Sequence, residues 1–296
     1  MPPFYVLVYV DVLDFTTADT EAPALVKAEL QERHTCTDLG ELRSYLGLHI
    51  TRDREWRTIT LTQSQMVHQV LQRFGLTWSS PQPTPLPTGH LLSAPPSDES
   101  VESSGALGCC EEVQRYLCST SGMGLVLGGQ DSVVLTGHSD ASSTDDQAAQ
   151  RSSQGYTFIL GCSSVSWRST RSSSVLGSSC EAKIYAGAMA AKELRWLTYL
   201  LSDMGERSRS PPVLYVDNKA MLALCHEQRL EYRTKHIALR YFLARELQHR
   251  GQLRLSNVAS RVNTADVFTK ALGSGDHQRF CIALGLLPTL PRLLVS

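Results

Sequence analysis

The chain has 296 residues, 42% of them apolar, with 28 Lys/Arg against 29 Asp/Glu for a formal net charge of −1. That length suits two ordinary domains and the apolar share allows a core, while the absence of any run of about 18 apolar residues excludes an evident transmembrane helix. The opening Phe4–Val10 run is too short and lacks the basic flank of a signal peptide, so an intracellular chain, in cytoplasm or nucleus, is expected.

The eight cysteines form no CxxC pair and no Cys/His zinc spacing, which predicts reduced thiols. The near-zero charge hides an asymmetry. Residues 1–120 carry 8 Lys/Arg against 15 Asp/Glu, and residues 201–296 carry 14 against 8. A basic C-terminal part suits a polyanionic partner.

In chain order, the β-branched and aromatic residues 4–11 predict a strand running into Asp11, and residues 20–33 a helix. Residues 45–50 and 58–61 predict a hairpin about the charged turn 52–55. Thr62 opens a helix with Met66, Val67, Val70, Leu71 and Phe74 on one face, stopped by Gly75. Residues 79–108 follow, with six prolines among Ser, Thr and Gly; proline at that density forbids helix and ladder alike, so a linker and domain boundary is expected.

The second half alternates strands and helices. Strands at 132–139, 154–161 and 163–167 predict an antiparallel meander, followed by a long helix over 179–203. Strand 213–217, a helix from 218, a helix over 234–249, strand 252–258 and a helix from 264 complete the succession, with 274–296 left as a tail.

Three carboxylates stand where strands end or helices begin. Asp140 follows an alternating strand, Asp217 ends the apolar run Val213–Val216, and Asp266 opens the last helix. Each alone is also a good turn or cap residue. Acidic residues gathered from separate elements are how two Mg²⁺ ions, about 4 Å apart, are caged for phosphodiester cleavage. The helix from 179 offers Glu181 as a fourth carboxylate, with Lys183 two residues on.

With Arg151–Tyr156, Val165–Arg168, Ser178–Glu181, Lys192-Glu193, Trp196-Leu197, Asp217-Asn218, Arg233–His236, Ala265-Asp266 and Thr269–Leu272, the second half resembles the ribonuclease H domain of Copia-type retrotransposon polyproteins. Tyr9–Asp11, Asp38–Glu41, Tyr45–Gly47 and Thr84–Leu86 make the first half similar to the end of the same polyprotein's reverse transcriptase. The resemblance implies an α/β ribonuclease H-like fold, a mixed five-stranded sheet flanked by helices, over 109–273. A truncated α+β palm and connection fragment over 1–78 would precede it, then the 79–108 linker.

It also implies cleavage of the RNA strand of RNA–DNA hybrids with two Mg²⁺, Mn²⁺ being a possible substitute, held by Asp140, Asp217 and Asp266. The partner would be such a hybrid or another nucleic acid, with no membrane and no small-molecule cofactor. Arg168, Arg171, Lys235 and Arg240 are candidate phosphate contacts, and His236 is left between structural and proton-transfer roles.

Three departures from the family pattern bear on activity. Asp11 is followed by Val12, not by the second aspartate of the polymerase turn, and a further metal-binding aspartate would fall before residue 1, so the polymerase part is expected to be inactive. The segment between Thr84–Leu86 and the helix at Val113–Leu117 is shorter than the family's connecting helices. Counting back three residues from Ala186, the expected catalytic Glu position holds Lys183. Glu181 stands about 200° away around the helix, at 3.6 residues per turn, and reaches the site only if the helix shifts. The expectation is an impaired nuclease of ribonuclease H descent; the alternative is a non-catalytic nucleic-acid-binding remnant of a decayed retroelement.

Overall fold

A computed structural model of the protein describes residues 3–75, 80–89, 104–129, 134–142, 152–172, 178–206, 208, 210–226 and 235–289. The chain opens with a hairpin, β1 (Phe4–Tyr9) and β2 (Val12–Thr17), then α1 (Ala22–Arg33), β3 (Ser44–Tyr45), β4 (Leu48–Asp53), β5 (Thr58–Thr62) and α2 (Ser64–Arg73). Helix α3 (Ser104–Thr120) leads into β6 (Met123–Gly128), and β7 (Leu135–Ser142), β8 (Ser153–Leu160) and β9 (Ser163–Arg171) into the long α4 (Ser179–Asp203). Then come β10 (Val213–Val216), α5 (Lys219–His226), α6 (Lys235–His249), β11 (Arg254–Asn257), two 3-10 turns at Ser260–Val262 and Thr264–Phe268, α7 (Ser274–Ala283) and β12 (Leu286–Pro288).

The larger core lies against the sheet ordered β11-β10-β7-β8-β9. Strands β7, β8 and β9 form the expected antiparallel meander, and β10 joins β7 and β11 in parallel. This is the ribonuclease H-like architecture, a mixed five-stranded sheet flanked by helices. Helix α4 crosses it on a face of small residues: Ala182, Ala186, Gly187 and Ala190 are all buried. At Gly187 a Cβ would stand 2.4 Å from Met221 Cε, and at Gly137 it would stand 2.4 Å from Phe158 Cε1. Gly187 thus leaves room for Met221 of α5 beside α4, and Gly137 for the Phe158 ring across the β7–β8 pairing; a side chain at either position would displace them. Phe158 and Leu214 are wholly buried and Leu194 nearly so, and truncating such a ring to Ala costs about 3–5 kcal/mol.

A second five-stranded sheet runs β12-β6-β5-β4-β3. It corrects two expectations. The proline-rich stretch does not separate two independently built halves, because β6, which follows it, pairs antiparallel with β5, which precedes it. Residues 80–89 contain no helix or strand, as proline dictates, yet they pack on the body: the Gln82 amide donates to Arg115 O and the Gly89 amide to Ala271 O. Proline forbids a ladder within its own segment and leaves the flanking segments free to pair. The supposed tail is not one either. Residues 274–283 are helical and β12 pairs with β6. Residues 90–103 and 290–296 lie outside the described residues.

The β1–β2 hairpin makes its own two-stranded sheet and leaves Val6, Leu7, Val8 and Tyr9 about half exposed, and Val10 85% exposed. All eight cysteines are free. No helix among the described residues is long and apolar enough to cross a membrane.

Candidate active site

Parallel pairing of β7 and β10 aligns Val216 with Ser139, so the next residues, Asp217 and Asp140, emerge side by side. Asp140 is six residues into β7, which continues to Ser142 against β8; the expectation of a strand ending before it is corrected. Side chains alternate along a strand, so Thr136, His138 and Asp140 share one face. Asp140 is 1% exposed.

Asp266 arrives by a different route. It sits in the five-residue 3-10 turn Thr264–Phe268, where an α-helix was expected. Buried Asn263 fixes that turn: its side-chain amide donates to Ser139 O at 3.1 Å, and its Oδ1 accepts from the Ala265 amide at 3.3 Å. One side chain thus ties the turn carrying Asp266 to the strand carrying Asp140.

Two ammonium groups lie among the three carboxylates. Lys183 Nζ is 2.5 Å from Asp217 Oδ2 and 3.4 Å from Asp140 Oδ1. Lys270 Nζ is 2.9 Å from Asp266 Oδ2 and 3.1 Å from Asp140 Oδ2. The Thr269 hydroxyl donates to Asp140 Oδ2 at 2.5 Å, and the Ser260 hydroxyl to Asp217 Oδ2 at 3.3 Å. Burial pushes the Asp140 carboxyl up, but the Thr269 hydrogen bond and the ammonium groups of Lys270 and Lys183 outweigh it and hold it below the usual range. Asp266 goes the other way: burial, with the charges of Asp140 and Asp217 added, lifts it to about 6 against the pull of Lys270. Burial would lower the Lys270 ammonium, yet the carboxylates of Asp140 and Asp266 raise it.

Lys183, not Glu181, therefore faces the aspartates. Glu181 occupies the first turn of α4, in the Ser178-x-x-Glu181 spacing of a capping box. Its amide donates to the Ser178 hydroxyl at 3.1 Å, and its charge suits a helix N-terminus.

The acidic set does not fit two divalent ions as it stands. Among the described residues no three His, Cys, Asp or Glu are arranged to hold a metal ion. Two of the carboxylates share Lys183 and two share Lys270, so cations of the chain itself occupy the space between them. Asp140 Oδ1 and Asp266 Oδ1 are buried and accept no hydrogen bond.

The other sequence candidates are dispersed. Arg168 and Arg171 are exposed on β9, the edge strand of the sheet. Lys235, His236 and Arg240 belong to α6, but their side chains lie outside the described ones. Asp11 is exposed at the tip of the β1–β2 hairpin, beside Val10 at a φ of 52°. Sequence reasoning missed the roles of Lys270, Thr269 and Asn263. The Asp266–Lys270 spacing of four residues was the available signal for the first.

No family model matches the chain. It is similar to the retrovirus-related Pol polyprotein from transposon TNT 1-94 of Nicotiana tabacum, with 29% identity over 90% of this chain and 23% of that polyprotein. It is also similar to the one from transposon RE1 of Arabidopsis thaliana, with 27% identity over 97% of this chain and 22% of the polyprotein. The chain thus spans under a quarter of the length of these curated relatives. Among solved structures, the N-terminal RNase H domain of a Mycobacterium tuberculosis protein aligns with a TM-score of 0.35 and 11% identity, covering 51% of this chain and 97% of that domain. The alignments to these retrovirus-related Pol polyproteins of plant transposons run through nine-tenths or more of the chain, and the chain is similar to them over that length.

Proposed function

We propose that this chain is a retroelement-derived ribonuclease H-like domain, by descent a nuclease for the RNA strand of RNA–DNA hybrids, in which hybrid cleavage is disabled by Lys183. The observation that carries the reading is the contact of Lys183 Nζ with Asp217 at 2.5 Å and with Asp140 at 3.4 Å. A lysine where the family pattern has a glutamate changes the local charge by two units. At about 4 Å and an effective dielectric near 20, each unit-charge interaction is worth about 4 kcal/mol. The lost attraction and the added repulsion both act against a divalent ion, and the reading assigns no metal-dependent step to the chain as it stands. Nor does it assign polymerase chemistry to the hairpin, where Val12 follows Asp11.

Exposed Arg168 and Arg171 support a second, non-catalytic reading in which the domain still holds nucleic acid through its phosphates. A labelled RNA–DNA hybrid tests both. The protein as it stands is expected to bind the hybrid in a salt-dependent way and leave it intact in Mg²⁺ or Mn²⁺, while Lys183→Glu cuts it. Cutting by the unmodified protein that Glu181→Gln abolishes would show instead that Glu181 is the fourth carboxylate and that the enzyme is alive.

A further inference from the structure

Asp140 is held from both sides. Lys183 approaches its Oδ1 from α4 at 3.4 Å, and Lys270 approaches its Oδ2 from just beyond the 3-10 turn at 3.1 Å. Each lysine reaches on to one more carboxylate, Lys183 to Asp217 and Lys270 to Asp266. The result is a continuous alternating chain, Asp217–Lys183–Asp140–Lys270–Asp266, contributed by four places in the fold: the end of β10, α4, β7 and the segment of the 3-10 turn. Hydroxyls, not further charge, add to it: Ser260 donates to Asp217 at one end and Thr269 to Asp140 in the middle. Three gathered carboxylates repel one another, and without cations the elements carrying them are driven apart.

We infer that Lys183 and Lys270 are built-in counterions that replace external divalent cations, so that the folded domain neither binds Mg²⁺ or Mn²⁺ at this cluster nor needs them to hold its sheet, 3-10 turn and α4 together. The lysines do different parts of this. Lys270 belongs to the same local segment as Asp266, four residues on, and neutralises the turn. Lys183 comes from α4 and bridges Asp140 of β7 and Asp217 at the end of the neighbouring β10, so its charge decides whether an external cation is wanted. The inference takes these aspartates as the acidic set of the proposed function, and its readout is kept apart from cleavage.

The test is thermal unfolding of the full chain in EDTA and across a Mn²⁺ series, with free Mn²⁺ followed by electron paramagnetic resonance. The protein as it stands is expected to unfold at the same temperature throughout and to leave the Mn²⁺ signal undiminished. Lys183→Met is expected to unfold several degrees lower in EDTA, recover saturably as Mn²⁺ is added, and take up the ion; Lys183→Arg, which keeps the cation, is expected to stay indifferent to Mn²⁺. Stoichiometric Mn²⁺ uptake with a raised midpoint in the unmodified protein would overturn the inference, whatever the nuclease assay gives. So would a folded Lys183→Met that ignores Mn²⁺. If Lys183→Met does not fold even with Mn²⁺, the requirement for the lysine charge stands and the Mn²⁺ titration of the unmodified protein decides the rest. A hybrid-cleavage assay in which Lys183→Glu stays inactive would sink the proposed function alone.

Discussion

Acid should act on this domain through two groups of opposite sign. His138 stacks on Tyr215 at 5.0 Å between ring centroids, directly across the parallel β7–β10 pairing, and burial pushes its imidazole down to about 4. A depressed histidine supplies stability above its unfolded value of 6.5 that is lost as the pH falls towards 4, because the unfolded chain takes the proton first. At 1.36 kcal/mol per unit, the span from 6.5 to about 4 amounts to ~3 kcal/mol. Asp266, raised to about 6, does the reverse: the folded state takes its proton first, and stability rises as the pH falls from 6 to 3.8. Full burial would make that ~3 kcal/mol too; discounted for solvent screening beside Lys270, it is ~2 kcal/mol. His277, also lowered by burial, adds to the histidine side. The unmodified protein should therefore lose only ~1–2 kcal/mol from these groups between pH 7 and pH 4.5. His138→Phe keeps a ring on Tyr215 and removes the proton site, so its stability should hold level or rise over the same interval. The assay is urea unfolding by tryptophan fluorescence at half-unit pH steps, compared as a difference between the two proteins. Identical pH profiles for His138→Phe and the unmodified protein would refute the reasoning.

Two further expectations concern α4. Ser178→Ala removes the hydroxyl that accepts the Glu181 amide and should cost about 1 kcal/mol, read as a lower urea midpoint at unchanged m. Gly187→Ala places a methyl 2.4 Å from Met221 Cε; since the obstacle is the far end of a flexible side chain, the cost should be about 1–3 kcal/mol and should largely disappear in the double variant with Met221→Ala, a non-additivity that a double-mutant cycle in the same assay measures.

What was legible in the sequence followed from local chemistry. Helix α4 spans the predicted 179–203 because a Ser cap, an acidic first turn and a long stretch without proline or β-hairpin signals all lie in one segment. The β7–β8–β9 meander and the apolar β10 showed by alternation or by an unbroken apolar run. Asp140 and Asp217 were found for the same reason. Asp266 was found in the wrong kind of element, since Thr264–Phe268 carries helix-start chemistry and only the buried Asn263 amide, bonded to a carbonyl 124 residues away, fixes a 3-10 turn there. Of the second sheet only the hairpin about residues 52–55 was legible, as the antiparallel β4–β5 pair. β6 is a short glycine-flanked apolar run that fits helix or strand, and β12 pairs with it across some 160 residues of chain with no local sign of the partner. Pro288 within β12 even argued against a strand; it is tolerated because β12 is the sheet's edge.

The same distinction explains why the site reads differently in the two views. Sequence order identifies carboxylates one at a time and assigns them to a family role, but it does not say what neutralises them. A carboxylate 1% exposed needs that neutralisation in the folded state whether or not it ever performs chemistry, because an unpaired buried charge costs several kcal/mol. Thr269, Lys183 and Lys270 supply it for Asp140 with one hydroxyl and two ammonium groups. On the proposed function, a lysine at position 183 in place of a glutamate removes one demand on the fold and a capacity for chemistry together: a fourth carboxylate would need external cations to stay buried, and the lysine would make them superfluous. The conservation of shape and the loss of reactivity would then, on that proposal, both be consequences of one charge, separable by restoring that charge alone.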